Sequence, residues 1–450
     1  MNRSRGFDSV AALWVATLLI TAAAPPARAQ AALDARGVSD RADKWLAAYA
    51  AAGDFSGVVL IAQGDRILVE KAYGKADAAT GAPNTLKTRF RIASLTKTFT
   101  AAAIELLIAG GKIELGDPLG RYVPGIPNGD VITIEQLLLH RSGVGVVDTP
   151  DRYLECLPAA ELLRRLGEAK PLFPPGKGDQ YSNEGYFLLA LVIEKVSGMS
   201  YEQFLQRNIF GPLGMKNAGI ACKDLPPGPN AAGHVPGAAG SSVIRLTANE
   251  AVEIGSGTAY SDVGDLLSWL RAVDANPSFK AGRWRYPYGW GKRNYSGRAL
   301  IEQSGIVEGF NAHIALYPGD HLCAVLLGNI QSGLFNRVPQ DLEKVLFGGE
   351  TTQPPAVIPV ELSGRDLQDF AGEYASDAIP YHQTLVVRDG TLYMRWGQFP
   401  FPRALAPAGK DEFFFRYEYA TVRFGRASSG KVVSMSWQWP DGGPMAFRKL

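Results

Sequence analysis

The sequence predicts an α/β fold of the α+β kind, in which antiparallel strands flank a helical insertion, followed by a small all-β domain. Three observations carry this. Strand-like alternation stands at both ends of the first domain, and helix-spaced apolar residues fill the stretch between. A break rich in Gly and Pro then precedes a region that alternates with period two to the C-terminus. At 450 residues and 46% hydrophobic content, the chain exceeds one ordinary domain and can bury a large core.

The elements follow in order. Arg3 and Arg5 precede an apolar run over residues 10–24, then Pro25-Pro26 and Ala27-Arg28-Ala29, which is the layout of a signal peptide ending at residue 29. The run is shorter than the roughly 20 residues needed to span a bilayer, so cleavage and export are expected, with no stable membrane insertion afterwards. Over residues 55–76, two alternating β-branched runs flank Gly64-Asp65, a hairpin expected to open the mature domain. Phe99, Ala103, Leu106 and Leu107 recur at helical spacing over 94–109, and Gly110-Gly111 ends that helix. Helical patterns at 134–139, 187–196 and 262–273 alternate with Gly- and Pro-containing loops, and strands return over 299–329 around a turn at Pro318-Gly319-Asp320. A short helix near 342–347 closes a domain spanning 30–347. A linker at 348–361 leads to a barrel or sandwich at 362–450, with turns at Asp389-Gly390 and Ser429-Gly430.

Composition excludes several functions. The 46 Lys and Arg nearly balance the 44 Asp and Glu, leaving a net charge of +2, and like charges do not cluster, so nucleic acid is not an expected partner. Three cysteines, Cys156, Cys222 and Cys323, are too few and too scattered for a disulfide framework or a zinc site, although one bridge is possible. The five histidines show no ligand spacing, and neither metal nor cofactor is expected.

The residues that carry chemistry begin with Ser94-Leu95-Thr96-Lys97 at the start of the 94–109 helix. Residues three apart lie one turn above each other, so the amine can approach the hydroxyl. The helix N-terminus favours a developing oxyanion and disfavours the ammonium form. A neutral Lys97 could then take the Ser94 proton. Spacing alone is weak, since average composition yields on the order of one such pair in a chain this long. Ser428-Ser429-Gly430-Lys431 repeats it in a glycine turn, with no helix to orient the pair.

Tyr181-Ser182-Asn183 follows a Pro-Gly loop and precedes the 187–196 helix, so that a phenol and an amide project from the loop. The phenol can exchange protons beside a cation, and Asn183 can hold a substrate amide. Gln303, Ser304, Gly305 and Ile306 lie on a strand whose edge could pair with an extended substrate and offer a backbone N–H to its carbonyl.

Taken together, these elements resemble the serine beta-lactamase and penicillin-binding protein family, in particular its class C branch with related esterases and D-aminopeptidases. The resemblance covers about residues 54–329 and includes FRIASLTKTFT from Phe90, ITIEQLLLHRSGV from Ile132, FPPGKGDQYSNEGY from Phe173, GPLGM from Gly211, GSGTAYSDVGDLLSW from Gly255 and YGW at Tyr288. It implies a beta-lactamase/transpeptidase-like fold with the site between sheet and helices. It also implies an acyl-enzyme on Ser94, acid and base work shared by Lys97 and Tyr181, and orientation of the substrate by Asn183. The oxyanion hole would be the N–H groups of Ser94 and Ile306, with His140 and Ser142-Gly143 as a structural signature beside the site.

In such enzymes the third motif usually begins with Lys or His. Here Gln303 takes that place, and the missing cation would weaken attraction for a substrate carboxylate. The C-terminal region is similar to the lipocalin-like β-barrel appended to some D-aminopeptidases. The resemblance implies a periplasmic or secreted bacterial hydrolase acting on a small-molecule or peptide substrate, with cell-wall fragments among the candidates. The alternative is an inactive sensor or scaffold that keeps the fold.

Overall fold

The computed structural model describes residues 32–238, 243–246, 253–276, 288–356, 360–379, 382–397, 400–440 and 442–450. The signal-peptide region, 1–29, lies outside the described residues, as do 357–359 of the linker.

Among the described residues the first element is a helix, α1 (Ala35–Ala51), and not the hairpin expected to open the domain. Asp34 caps it, and Val38, Ala42, Trp45, Leu46 and Tyr49 bury one face. The hairpin follows as β1 (Gly57–Gln63) and β2 (Arg66–Tyr73). Next come α2 (Thr96–Ala109), α3 (Asn183–Ser197) and α4 (Val263–Ala275). The strands β3 (Gly291–Tyr295), β4 (Arg298–Val307), β5 (Phe310–Tyr317) and β6 (Leu322–Gly328) return the chain to the sheet, and α5 (Val338–Phe347) closes the domain.

These strands form a six-stranded antiparallel sheet in the order β2-β1-β6-β5-β4-β3. Side chains alternate across it. Val58, Leu60, Ile314 and Val325 face a core shared with α2, α3 and α4, whereas Val59, Ile61, Ala315 and Ala324 face α1 and α5. Helices therefore cover both faces of the sheet. The register pairs Tyr295 with Arg298 and Gly291 with Glu302, so β3 stops at Glu302 and leaves residues 303–307 of β4 beyond its end.

The C-terminal strands β7 (Gly372–Ala375), β8 (Gln383–Arg388), β9 (Thr391–Trp396), β10 (Arg403–Pro407), β11 (Glu412–Phe415), β12 (Ala420–Arg426), β13 (Val432–Gln438) and β14 (Met445–Lys449) pair in sequence. β14 returns to β7 and closes the barrel. Phe370, Tyr374, Met394, Phe413, Phe415, Phe424 and Trp437 are among the side chains packed in its core.

The barrel docks on the first domain through buried charge pairs. Arg416 Nη2 lies 2.6 Å from Asp54 Oδ1, and Arg403, between the Trp396 and Tyr417 rings, pairs with Glu308. Tyr419 enters the core beneath α1, stacked on Tyr49 at 6.4 Å.

Candidate active site

Ser94 sits in a turn of 3₁₀ helix (Ala93–Leu95) that feeds directly into α2. Ala93 before it has φ 48°, a left-handed conformation that costs a non-glycine residue on the order of 1–3 kcal/mol. Such strain persists only where the surroundings dictate it, and here β4 supplies them. A Cβ on Gly305 would stand 2.2 Å from the Ile92 carbonyl oxygen and 3.0 Å from the Ser94 nitrogen. Only glycine lets strand and nucleophile turn approach this closely.

Lys97 is completely buried. Its Nζ lies 3.2 Å from Ser94 Oγ, 2.8 Å from Asn183 Oδ1 and 2.8 Å from the Ser256 carbonyl oxygen. Desolvation lowers the amine to about 7, against a smaller opposing pull from Glu253 and Glu184. A large neutral fraction therefore exists at physiological pH, so the amine can accept the Ser94 proton.

Tyr181 OH donates to Ser94 Oγ at 2.7 Å. The residue is half exposed, yet its hydroxyl end is crowded by protein, which pushes the phenol up to about 12; the bond to Ser94 opposes this. At neutral pH the phenol keeps its proton and is poised as a donor, while the amine is the group able to accept. The sequence left the base unassigned between the two, and the two shifts run in opposite directions.

His140 orders Tyr181. Its ring packs against that of Tyr181, tilted by 32° with centroids 4.6 Å apart, and its Nδ1 accepts from the Ser182 N–H at 3.1 Å. Burial, and then the nearby Lys97, lower the imidazole to about 4, so it is neutral. Asn183 does not project from a loop as expected: it is the first residue of α3, with Ser182 as the cap accepting from Gly185 N.

The β4 residues divide by face. Gln303 and Gly305 lie toward the nucleophile turn, and Gln303 Nε2 makes a long contact of 3.4 Å with the Ser94 carbonyl oxygen. Ser304 and Ile306 alternate to the exposed side, and Ser304 Oγ meets His313 Nδ1 at 2.9 Å instead of Ser94. Thus Ser94, Lys97, Tyr181, Asn183, Gln303 and Gly305 converge, whereas the side chains of Ser304 and Ile306 do not.

Sequence reasoning missed the Ser256 carbonyl, because a backbone acceptor has no residue signature. It also missed His313, which is brought to Ser304 only by strand register. Cys156 and Cys222 form a disulfide, and Cys323 is buried and free. Among the described residues, no group of three or more His, Cys, Asp or Glu could hold a metal ion, and no helix is long and apolar enough to cross a membrane.

Residues 42–346 match the family model named Beta-lactamase. The chain belongs to the beta-lactamase family. Among curated beta-lactamase relatives, the D-alanyl-D-alanine-carboxypeptidase/endopeptidase AmpH of Escherichia coli (strain K12) is 30% identical over 284 residues, 60% of this chain and 69% of that protein. Esterase EstB of Burkholderia gladioli is 30% identical over 271 residues, 49% of this chain and 66% of its own length. The crystal structure of a penicillin-binding protein from Bacillus halodurans superposes with a TM-score of 0.56 at 28% identity, covering 64% of this chain and 94% of that one. The beta-lactamase family thus contains hydrolases of both peptide and ester bonds.

Proposed function

We propose that this protein is an exported serine hydrolase that cleaves an ester, amide or lactam through an acyl-enzyme on Ser94. One observation carries the reading: Ser94 Oγ lies within reach of a buried amine held near neutrality and of a protonated phenol, at 3.2 and 2.7 Å. Ser94 Oγ attacks the carbonyl carbon and its proton passes to Lys97 Nζ. The N–H groups of Ser94 and Ile306 stabilise the oxyanion, and Asn183 orients the substrate. On collapse the leaving group takes a proton from Tyr181, which is restored from Lys97. Water then releases the acyl group by the same route in reverse.

Proton transfer contributes about 10² to 10⁴ in rate and each oxyanion donor about 10² to 10³, and neither depends on residue 303. The loss of a cation at Gln303 therefore alters substrate preference and leaves turnover intact. Export rests on the signal-peptide layout of residues 1–29. The expected outcome is a higher kcat/KM for a neutral activated ester than for an anionic penicillin. Equal or faster turnover of the penicillin contradicts the role given to Gln303, and no turnover of any ester, D-amino amide or penicillin favours the inactive sensor.

A further inference from the structure

Beneath Lys97 lies a buried charge cluster that the reaction itself does not use. Arg152, on the short helix Pro150–Leu154, places Nη1 2.8 Å from Glu184 Oε1 and Nε 2.5 Å from Glu253 Oε1. The side chains are 7%, 5% and 12% exposed, so these charges are screened little by solvent. Each acid is tied to one acceptor of the Lys97 amine. Glu184 follows Asn183 in the first turn of α3. Glu253 Oε2 lies 3.3 Å from Ser256 Oγ, and the carbonyl of that same Ser256 accepts from Lys97. Two residues past its helix, the Arg152 segment is fastened by the Cys156–Cys222 disulfide, whose Cys156 end is exposed.

We infer that Arg152 is a positioning residue: by bridging Glu184 and Glu253 it fixes Asn183 and the Ser256 carbonyl around Lys97 and sets how readily that amine carries charge, with the disulfide holding it in place. The inference rests on the proposed role of Lys97 as base. The groups facing Lys97 are Tyr181, Asn183, Glu184 and Tyr186 from α3 and its approach, His140, and Glu253 with Ser256 from the loop before α4. His140 and the phenols are neutral near pH 7, so the sign at Lys97 follows from two acids against one guanidinium.

Opposite charge changes must therefore act in opposite directions. Arg152→Met leaves two acids beneath the amine, favours the ammonium and moves the acid limb of the kcat/KM profile to higher pH, by about 0.5 to 1 unit. Glu253→Gln removes a negative charge and moves the limb down by a similar step. Arg152→Lys, which keeps the charge, returns the midpoint toward wild type. Reducing the disulfide in the full chain moves it the same way as Arg152→Met. A role in stability alone would lower kcat/KM at every pH without splitting the midpoints. Should Arg152→Met fail to fold, the near-isosteric Glu253→Gln still decides. Intact-mass acylation of the wild type tests the underlying reading separately. If Ser94 is acylated but both variants keep the wild-type midpoint, the positioning role is overturned and the proposed function stands.

Discussion

The chain contains the spacing Ser-x-x-Lys at residues 94–97 and again at 428–431, and the structure treats the two in opposite ways. In the first, the serine lies in a strained turn at the head of α2, and Lys97 is wholly buried against Asn183 and a carbonyl. In the second, Ser428, Ser429, Gly430 and Lys431 are all exposed in the turn between β12 and β13, where Gly430 takes φ 83°. The exposed turn leaves Ser428 and Lys431 to solvent, whereas the Lys97 amine is withdrawn from it. Spacing brings the two groups near each other, but only burial gives the amine the lowered pKa that the proposed base role of Lys97 requires.

Substitutions on each side sharpen this contrast. Lys97→Met should lower kcat/KM by about 10² to 10⁴, measured with whichever ester the wild type turns over. In the wild type, activity should rise with pH through the Lys97 value of about 7, since the neutral amine is the working form. The barrel meets the first domain through buried ion pairs, so a substitution in that contact should act on stability. Asp54→Ala leaves Arg416 buried without its carboxylate, and chemical denaturation should show a loss of about 3–5 kcal/mol. At the small end, Lys431→Met should leave kcat/KM and its pH profile unchanged.

Much of this was legible in the sequence. Helical periodicity after Ser94 and the period-two pattern beyond residue 362 predicted the elements, because both patterns are local. α1 was equally legible through Val38, Ala42, Trp45, Leu46 and Tyr49, a stripe absent from the expected order of elements. Barrel closure was not, since nothing local in β7 tells that it pairs with β14. The convergence of Ser94, Lys97 and Tyr181 was visible as motif order, whereas the Arg152 bridge joins residues 32 and 101 positions apart that share no motif. Long-range pairs of that kind are set by the fold as a whole.

The most direct test is intact-mass and peptide mapping of the full chain after brief exposure to an activated ester, a D-amino amide and a penicillin, beside Ser94→Ala and Ser428→Ala. A single acyl adduct on Ser94, lost in Ser94→Ala and kept in Ser428→Ala, is the predicted result. An adduct that survives Ser94→Ala, or turnover of these compounds without Ser94, would contradict the account.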